Sequence, residues 1–553
     1  MSHDDRLLEQ DVGQVLMVGV PGTTLTEEVT AFLAHCRVGG VCLFHENLAN
    51  PWQAQRLTSA LQGLARFRRE PPLLLAADQE GGLVNRLGYP GAVLPSAMAI
   101  GATGSVAMAR RCARVAAREL RRLGLNVNFA PVADVNTNPA NPVIGTRSYG
   151  SEPRRVAAMV AAAVAAHLDE GVLPVVKHFP GHGDTSHDSH HVLPAVGHDW
   201  ARLWSCELAP FVAAFEAGAP LVCTAHVRYP ALDPTGNPAT LSAAVLGGLL
   251  RERLRFEGVV VSDALVMGAI ASRASLVENA LAALAAGVDL LLLLGSLDEQ
   301  RAVYEALLAA LRSGALPVRR VREAASRVLR LKQGLAPIAT APHPWPDPDH
   351  VAVCRAVARR GVTLIRDREG FLPVELSPTA RLGLVELLPP LASPVETGGA
   401  EASAPGLLAL LLRRHHPRVE AAVVAPDAPG QVAAARRLAE RSDVVVVATR
   451  NALLSDGAAR IVRETLGVGR PTIVAALRGP YDLLAFPDAP CYLAAYDDHV
   501  YAVEALVDVL FGSLRPRGRL PVDLPGLYRR GHGIARPSVG EREDIASTAS
   551  PDR

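Results

Sequence analysis

The chain has 553 residues, of which 49% are hydrophobic, 20% are charged and 4% are aromatic. This length exceeds what one ordinary hydrophobic core organises, so we expect two domains, or one large barrel with a second unit. The apolar content excludes a disordered chain, and a formal net charge of +1 with mixed signs leaves no basic footprint for a nucleic acid.

Neither a leader nor a membrane segment is expected. The N-terminal sequence MSHDDRLLEQD lacks a basic region followed by an apolar run, and no stretch reaches the about 18 uncharged apolar residues of a membrane helix. The 7 cysteines are scattered and never spaced Cys-x-x-Cys, which is typical of small core residues in a reducing compartment. We therefore predict a cytoplasmic protein without a membrane partner, and the sequence does not indicate its oligomeric state.

Short Val- and Leu-rich runs alternate with longer helical stretches, such as 109–124 and 157–171, through the first 335 residues. Eight runs have the length of buried strands, namely 15–20, 40–44, 73–78, 126–134, 174–179, 221–226, 258–265 and 289–294. Eight βα repeats predict a TIM barrel with insertions. A doubly wound open sheet is the structural alternative, because a repeat count alone does not establish closure.

A second αβ pattern follows a proline-rich segment. Residues 336–350, APIATAPHPWPDPDH, contain five prolines and indicate a semi-rigid linker. Six further strand patterns come after it, at 361–366, 382–387, 421–426, 443–449, 471–477 and 491–496. We predict a barrel domain over 1–335, a linker over 336–350, a smaller α/β sandwich domain over 351–530 and a polar, disordered tail over 531–553.

Ionisable residues gather at the ends of the predicted barrel strands. Active sites of TIM barrels lie at the carboxyl ends of the strands and in the loops that follow them. Five of the eight strands end in such groups, which are Asp78, Asp134, Lys177 with His178, His226, and Ser262 with Asp263. The sequence therefore predicts an active site at this rim.

Asp263 has two interpretations. It follows the apolar run GVVV, so a carboxylate leaves a buried strand directly at the barrel mouth. A carboxylate held there can act as a nucleophile or can stabilise a positive centre. The alternative is an ordinary aspartate that caps the next helix.

The segment 177–191, KHFPGHGDTSHDSHH, contains five of the 17 histidines and one of only two lysines, Lys177 and Lys332. A metal site, a solvated loop and a catalytic loop are the three interpretations. The histidine spacing matches no zinc motif, and the residues PGHG indicate a shaped turn near a ligand. In the catalytic interpretation, Asp188 and His190 lie two residues apart on an extended segment, so the carboxylate faces the imidazole and raises its basicity.

These residues carry a family resemblance. KHFPGHGDTSHDSH resembles the signature KHFPGHG-x4-DSH of the β-N-acetylglucosaminidase branch of glycoside hydrolase family 3. Further segments resemble motifs of that family in the same order across residues 10–335: GGVCLFHENLANPWQ, DQEGGLVNRL, NPANPVIGTRSYG, TAHVRYPALD and GVVVSDALVMGAI. The resemblance implies a retaining exo-β-N-acetylglucosaminidase without a cofactor or a metal, acting on small GlcNAc-containing carbohydrates such as peptidoglycan turnover fragments.

The resemblance also implies roles for single residues. Asp263 would be the nucleophile that forms a covalent glycosyl-enzyme intermediate, and His190, paired with Asp188, would be the acid/base. The −1 subsite would hold the sugar through Asp78, Arg86, Arg147, Lys177 and His178. Ala264 departs from the family, which often has a second aspartate at this position, so the electrostatics beside the nucleophile are open.

Other functions are alternatives. A histidine base does not repel an anionic acceptor, so a phosphorylase of the same fold is possible, as is a β-glucosidase. A non-catalytic sugar-binding protein and a metal-dependent hydrolase belong to other classes. In many members of the larger family a glutamate of the second domain is the acid/base. Because the loop after the fifth strand here supplies its own candidate, the second domain is open to a role in subsite walls, stability or dimerisation.

Overall fold

A computed structural model of the chain describes residues 3–87, 91–335, 344–389 and 406–536. The first part forms a barrel with surrounding helices. Its elements are α1 (His3–Gln14), β1 (Leu16–Gly19), α2 (Glu27–Cys36), β2 (Gly40–Cys42), α3 (Pro51–Phe67), β3 (Leu74–Ala77), β4 (Gln79–Gly81), β5 (Val84–Asn85), α4 (Ala97–Ala102), α5 (Val106–Arg122), β6 (Val127–Asn128), α6 (Pro153–Asp169), β7 (Leu173–Phe179), α7 (Trp200–Ser205), α8 (Ala209–Glu216), β8 (Leu221–Thr224), β9 (Val259–Val261), α9 (Gly268–Ala271), α10 (Leu276–Ala286), β10 (Leu291–Leu293), α11 (Leu297–Ser313) and α12 (Val318–Gln333).

Eight parallel strands pair in the order β10-β1-β2-β3-β6-β7-β8-β9. A parallel bridge between Val261 and Leu290 joins the two ends of this sheet and closes it. The TIM barrel is confirmed, with a strand that overlaps each of the eight predicted runs. The open-sheet alternative is wrong because the ring closes.

The barrel strands are apolar on both faces because each face is covered. Met17 packs in a cluster with other inward side chains such as Leu74 and Val175, whereas its neighbour Val18 belongs to the larger cluster shared with the surrounding helices. This alternation fills the barrel interior with side chains, so the barrel is a packed core and its chemistry is confined to the rim.

The second part is an α/β sandwich. Its elements are α13 (Pro348–Gly361), β11 (Thr363–Asp367), β12 (Leu382–Leu387), α14 (Leu407–His415), β13 (Val419–Val424), α15 (Gln431–Arg441), β14 (Val444–Thr449), α16 (Asp456–Leu466), β15 (Thr472–Ala476), β16 (Cys491–Ala494) and α17 (Val500–Leu510). The sheet order is β11-β16-β15-β14-β12-β13, with β11 antiparallel to β16 and the other pairs parallel.

Helices cover both faces of this second sheet. Side chains of α13, α14 and α17 share one buried cluster with one set of strand side chains, and those of α15 and α16 pack with the alternate set. The sandwich predicted from six strand patterns is therefore confirmed, and each pattern overlaps a strand.

The domain limits stay predictions. Residues 336–343 of the predicted linker and 537–553 of the predicted tail lie outside the described residues, whereas α13 begins at Pro348, within the predicted linker. Residues 531–536 contact the second sheet, since His532 Nε2 lies 2.8 Å from the carbonyl oxygen of Ile365 and the backbone N–H of Ile534 donates to Leu364 at 2.7 Å.

The cysteines are core residues, as their scattered spacing predicted: all seven are buried and unpaired. In the part of the chain that the structure describes, none of the helices combines the length and apolarity needed to cross a membrane.

Candidate active site

Four charged side chains form a continuous network at the barrel mouth. Asp78 follows β3, Glu80 lies in β4, Lys177 lies in β7, and Arg147 ends a single 3-10 turn in the loop after β6. Lys177 Nζ lies 2.5 Å from Asp78 Oδ1 and 2.6 Å from Glu80 Oε1. Arg147 donates from Nε and Nη2 to the two carboxylate oxygens of Glu80, at 2.9 and 2.8 Å. Two cations therefore balance two carboxylates.

These matched charges keep the network ionised although it is buried. Burial acts to raise the pKa of the Glu80 carboxyl, but Arg147 and Lys177 outweigh burial and hold this pKa well below its usual range. Burial likewise acts to lower the pKa of Lys177, and the carboxylates of Asp78 and Glu80 raise it above its ordinary value. The mouth thus presents fixed donors and acceptors suited to the hydroxyl groups of a sugar.

His178 is oriented by a buried carboxylate. Its Nδ1 lies 2.7 Å from Oδ2 of Asp134, which follows β6 and is fully buried. Burial acts to raise the pKa of Asp134, but His178 and His182 hold it below its ordinary value. The Asp134 carboxylate accepts from Nδ1–H of His178, and Arg147 Nη2 lies 3.4 Å from Nε2 on the other side of the ring.

Asp188 and His190 form a pair, but the extended segment predicted between them is wrong. The backbone N–H groups of His191 and Val192 both donate to the carbonyl of Asp188 at 3.1 Å, so the chain makes a turn here. Asp188 Oδ1 accepts from His190 Nδ1 at 2.7 Å and from His190 N–H at 2.9 Å. An aspartate that bonds the backbone two residues further on favours a turn over a strand, and the two side chains meet for this reason.

The turn is attached to neighbouring elements. The N–H groups of Gly268 and Ala269, at the start of α9, donate to the carbonyls of His190 at 3.0 Å and Ser189 at 3.1 Å. The side chain of His182 lies 3.0 Å from Ser189 Oγ. Burial and the neighbouring His178 lower the pKa of His182 to about 4, so this ring is a neutral support. The sequence left His182 without a role.

Asp263 lies next to this turn, at the end of β9. It does not cap the following helix, because α9 has Met267 at its N-cap position, so the capping interpretation is wrong. Its Oδ1 accepts from the N–H of Ala264 at 2.8 Å. Burial acts to raise the pKa of the Asp263 carboxyl, but three histidines (His226, His178 and His190) outweigh burial and hold it below the ordinary value. The carboxyl is thus kept ionised.

The position of Ala264 is fixed by a neighbouring strand. His226, which follows β8, lies with Nε2 3.1 Å from the carbonyl oxygen of Ala264 and with Nδ1 2.8 Å from Thr240 Oγ1. The methyl group of Ala264 adds no charge beside Asp263, so the histidines supply the local electrostatics.

The structure brings seven of the eight predicted site residues into two adjoining groups. Asp78, Arg147, Lys177 and His178 form one group, and Asp188, His190 and Asp263 form the other. Arg86 lies at the edge, buried with its guanidinium 5.7 Å from the centroid of the Phe44 ring.

Sequence reasoning missed Glu80, although a signal for it was present. Glu80 lies two residues after Asp78, so in an extended segment both carboxylates face the same way. Two predicted cations, Lys177 and Arg147, also required more than one counter-charge. In the described ranges, no group of three or more His, Cys, Asp and Glu side chains is arranged to hold a metal ion.

Comparison with known proteins defines the class as a glycoside hydrolase. The family model "Glycosyl hydrolase family 3 N terminal domain" matches residues 7–331, and the chain belongs to glycosyl hydrolase family 3. The family predicted from the sequence motifs is confirmed.

Three relatives extend the comparison. Beta-hexosaminidase A of Pseudoalteromonas piscicida is 37% identical over 379 residues, which are 64% of this chain and 63% of that relative. A beta-N-acetylglucosaminidase/beta-glucosidase of Cellulomonas fimi is 31% identical over 516 residues, 88% of each chain. The structure of a family 3 beta-N-acetylglucosaminidase from Paenibacillus sp. str. FPU-7 superposes with a TM-score of 0.88 at 37% identity, covering 94% of this chain and 99% of that one.

Replacing Glu80 by Gln tests the ion network. The Glu80→Gln protein leaves two buried cations with one carboxylate, so its free energy of unfolding should fall by about 3–5 kcal/mol. Glu70→Gln is the matched control, since Glu70 also pairs with two cations, Arg37 at 2.8 Å and Arg68 at 3.1 Å, but in a more exposed position. That change should cost about 1 kcal/mol or less. Equal losses in urea unfolding at pH 7 would contradict the assigned importance of Glu80.

Proposed function

We propose that this protein is a retaining exo-β-N-acetylglucosaminidase that removes terminal GlcNAc from small glycans. The observation that supports it most is the pairing, at one rim, of an ionised carboxylate with an aspartate-oriented histidine, Asp263 with Asp188–His190. Double displacement requires these two kinds of group, one to attack the sugar and one to move the proton.

In the first half-reaction, protonated His190 gives its Nε2 proton to the glycosidic oxygen. The bond between C1 and this oxygen breaks, and an oxygen of Asp263 forms a bond to C1 from the opposite face. Asp188, bonded to Nδ1, holds the ring and stabilises the charged imidazolium. The low pKa of Asp263 keeps the nucleophile ionised.

In the second half-reaction, neutral His190 accepts a proton from water at Nε2. The water oxygen forms a bond to C1, the bond between C1 and Asp263 breaks, and Asp263 is regenerated as a free carboxylate. Two inversions retain the β configuration of the product.

The ion network binds the sugar in this proposal. The carboxylate of Asp78 accepts from sugar hydroxyls, and Lys177, Arg147 and Arg86 donate to hydroxyls and to the acetamido oxygen. His178, oriented by Asp134, contributes at the same subsite. The charge balance of the network fits a neutral monosaccharide, because an added charge would leave it unbalanced.

Peptidoglycan turnover fragments, which carry terminal GlcNAc, are the proposed source of the substrate, following the family resemblance. A reducing cytoplasm is the proposed location, supported by seven buried, unpaired cysteines. A β-glucosidase activity is the second candidate, because the Cellulomonas fimi relative carries both activities in its name.

Hydrolysis of a panel of aryl β-glycosides tests the proposed activity. We expect turnover of the β-GlcNAc substrate above that of the β-glucoside, with GlcNAc as the product in the presence and absence of inorganic phosphate and a chelator. Formation of GlcNAc 1-phosphate when phosphate is present would show that the protein is a phosphorylase and contradict the proposed hydrolysis. No turnover of any member of the panel would overturn the proposal.

Asp263→Ala tests the nucleophile. The variant should lose turnover of the aryl β-GlcNAc substrate, and azide should restore part of it by entering the emptied space and giving the α-glycosyl azide. Asp298→Ala is the control, since this exposed carboxyl lies on the rim after the neighbouring strand β10 and pairs only with the exposed Arg301 in the described contacts. An active Asp263→Ala protein would contradict the assignment of Asp263 as the nucleophile.

His190→Ala tests the acid/base. Substrates with poor leaving groups should slow by about 100- to 10,000-fold, because only they need a proton in the transition state, whereas activated leaving groups should slow less in glycosylation. Azide should here give the β-glycosyl azide, the opposite anomer from Asp263→Ala. His191→Ala, an exposed neighbour in the same turn, is the control. Equal slowing of all leaving groups would remove His190 from proton transfer.

A further inference from the structure

Two barrel loops carry Glu80 and Arg147 of the ion network, and residues of the second domain form hydrogen bonds to both loops. The segment after β3 carries Glu80, and the segment after β6 carries Arg147. Residues that follow β15 and β16 reach across and bond to these segments. The carboxyl ends of the second sheet therefore face the mouth of the barrel.

The first contact is made by the residues after β16. His499 Nε2 lies 2.7 Å from the carbonyl oxygen of Gly82, two residues after Glu80. Asp497 Oδ2 accepts from the N–H of Ser96 at 2.8 Å, and Ser96 Oγ donates to the carbonyl of Tyr496 at 2.7 Å. A Cβ on Gly82 would lie 2.6 Å from Ser96 Cβ, so the three segments are stacked without a gap.

The backbone at Tyr496 is adapted to this contact. Tyr496 has a φ of 62°, a left-handed conformation that is unfavourable for a bulky aromatic residue. Its hydroxyl donates to Thr363 Oγ1 at 2.9 Å, and its ring is fully buried, which holds the residue in this conformation. The turn directs the carbonyl of Tyr496 and the carboxylate of Asp497 toward Ser96. Strain of this kind persists where the surrounding structure enforces it.

The second contact holds the segment that carries Arg147. Tyr481, after β15, accepts from Asn136 Nδ2 at 2.8 Å, and Asn136 N–H donates to the carbonyl of Gly150 at 2.9 Å across the base of the loop. The N–H of Ser151 donates to the carbonyl of Pro521 at 3.1 Å. Both ends of this loop are thus attached to the second domain.

We propose that the second domain is a positioning element of the barrel's active site, in which His499 and Tyr481 set the relative placement of Glu80 and Arg147. Gly82 lies two residues after Glu80, and Asn136 is bonded to Gly150, three residues after Arg147. Glu80 and Arg147 are in turn joined by two hydrogen bonds. Loss of either contact lets one loop move, and the sugar contacts made through Lys177 and Asp78 move with it. This assigns a role in sugar binding to a domain that supplies neither Asp263 nor His190, and it rests on the proposed function for its kinetic effect.

Hydrogen–deuterium exchange of the full chain tests the placement without relying on activity. In His499→Ala, peptides covering residues 79–87 should exchange faster than in the unaltered protein, and in Tyr481→Phe so should peptides covering 136–150. His416→Ala is the matched control. His416 is equally buried, and its Nε2 also lies 2.7 Å from a backbone carbonyl, that of Ala380, within the second domain. Unchanged exchange in both segments of the test variants would overturn the proposal.

Kinetics on aryl β-GlcNAc substrates separates positioning from a merely structural role. His499→Ala should raise KM and lower kcat/KM by roughly tenfold to 100-fold, equally for good and poor leaving groups, because the proton donor is untouched. His499→Gln, which keeps a side-chain N–H donor, should recover part of the loss. His416→Ala should keep the KM of the unaltered protein even if its melting temperature falls. A His499→Ala protein with unaltered KM and kcat would overturn the proposal. If the unaltered protein fails to turn over any substrate, the proposed function falls and the exchange result alone decides the positioning.

Discussion

The site depends on one carboxylate, Glu80, which is shared by two cations of different shape. Arg147 uses its planar fork to bond both oxygens of Glu80, and Lys177 inserts a single ammonium between Glu80 and Asp78. These charges are buried, where an unmatched ion costs several kcal/mol, so the network persists only as a complete set. It connects the ends of three barrel strands and thereby makes separate loops into one rigid surface.

The sequence predicted the fold well because the fold is encoded by local patterns. Buried strands appear as short apolar runs, and each of the fourteen predicted runs overlaps an observed strand. The rim residues could also be predicted, because strand ends place residues such as Asp78 and Asp263 at the carboxyl edge. The importance of Glu80 could not be predicted from its position at a strand end. Its importance lies in bonds to Arg147 and Lys177, which are distant in sequence, and such pairings follow from the closed barrel.

The turn at Asp188 shows that sequence spacing also fails to predict the local backbone geometry. Spacing by two residues correctly predicted that Asp188 and His190 are neighbours, but it did so from a strand geometry that the chain does not adopt. The bond from Asp188 to the backbone of His190 selects a turn, and the buried His182 supports Ser189 within it. A pair held by its own turn does not need a partner from the second domain, and the contacts of that domain fall instead on the loops that carry Glu80 and Arg147.

The two lysines provide an internal comparison of what the network does. Lys177 and Lys332 are equally buried, each with 3% of its surface exposed. Lys332 bonds the neutral Gln14 at 2.6 Å, and burial lowers its pKa to about 7. Lys177 is buried to the same extent but lies beside two carboxylates, and its pKa is raised instead. The difference is the electrostatic contribution of Asp78 and Glu80. An ammonium is compact enough to lie between both carboxylates, whereas a guanidinium pairs along one edge, as Arg147 does. Apart from these two lysines, every Lys or Arg position of the chain is an arginine. The geometry of the two carboxylates is a physical reason for a lysine at position 177.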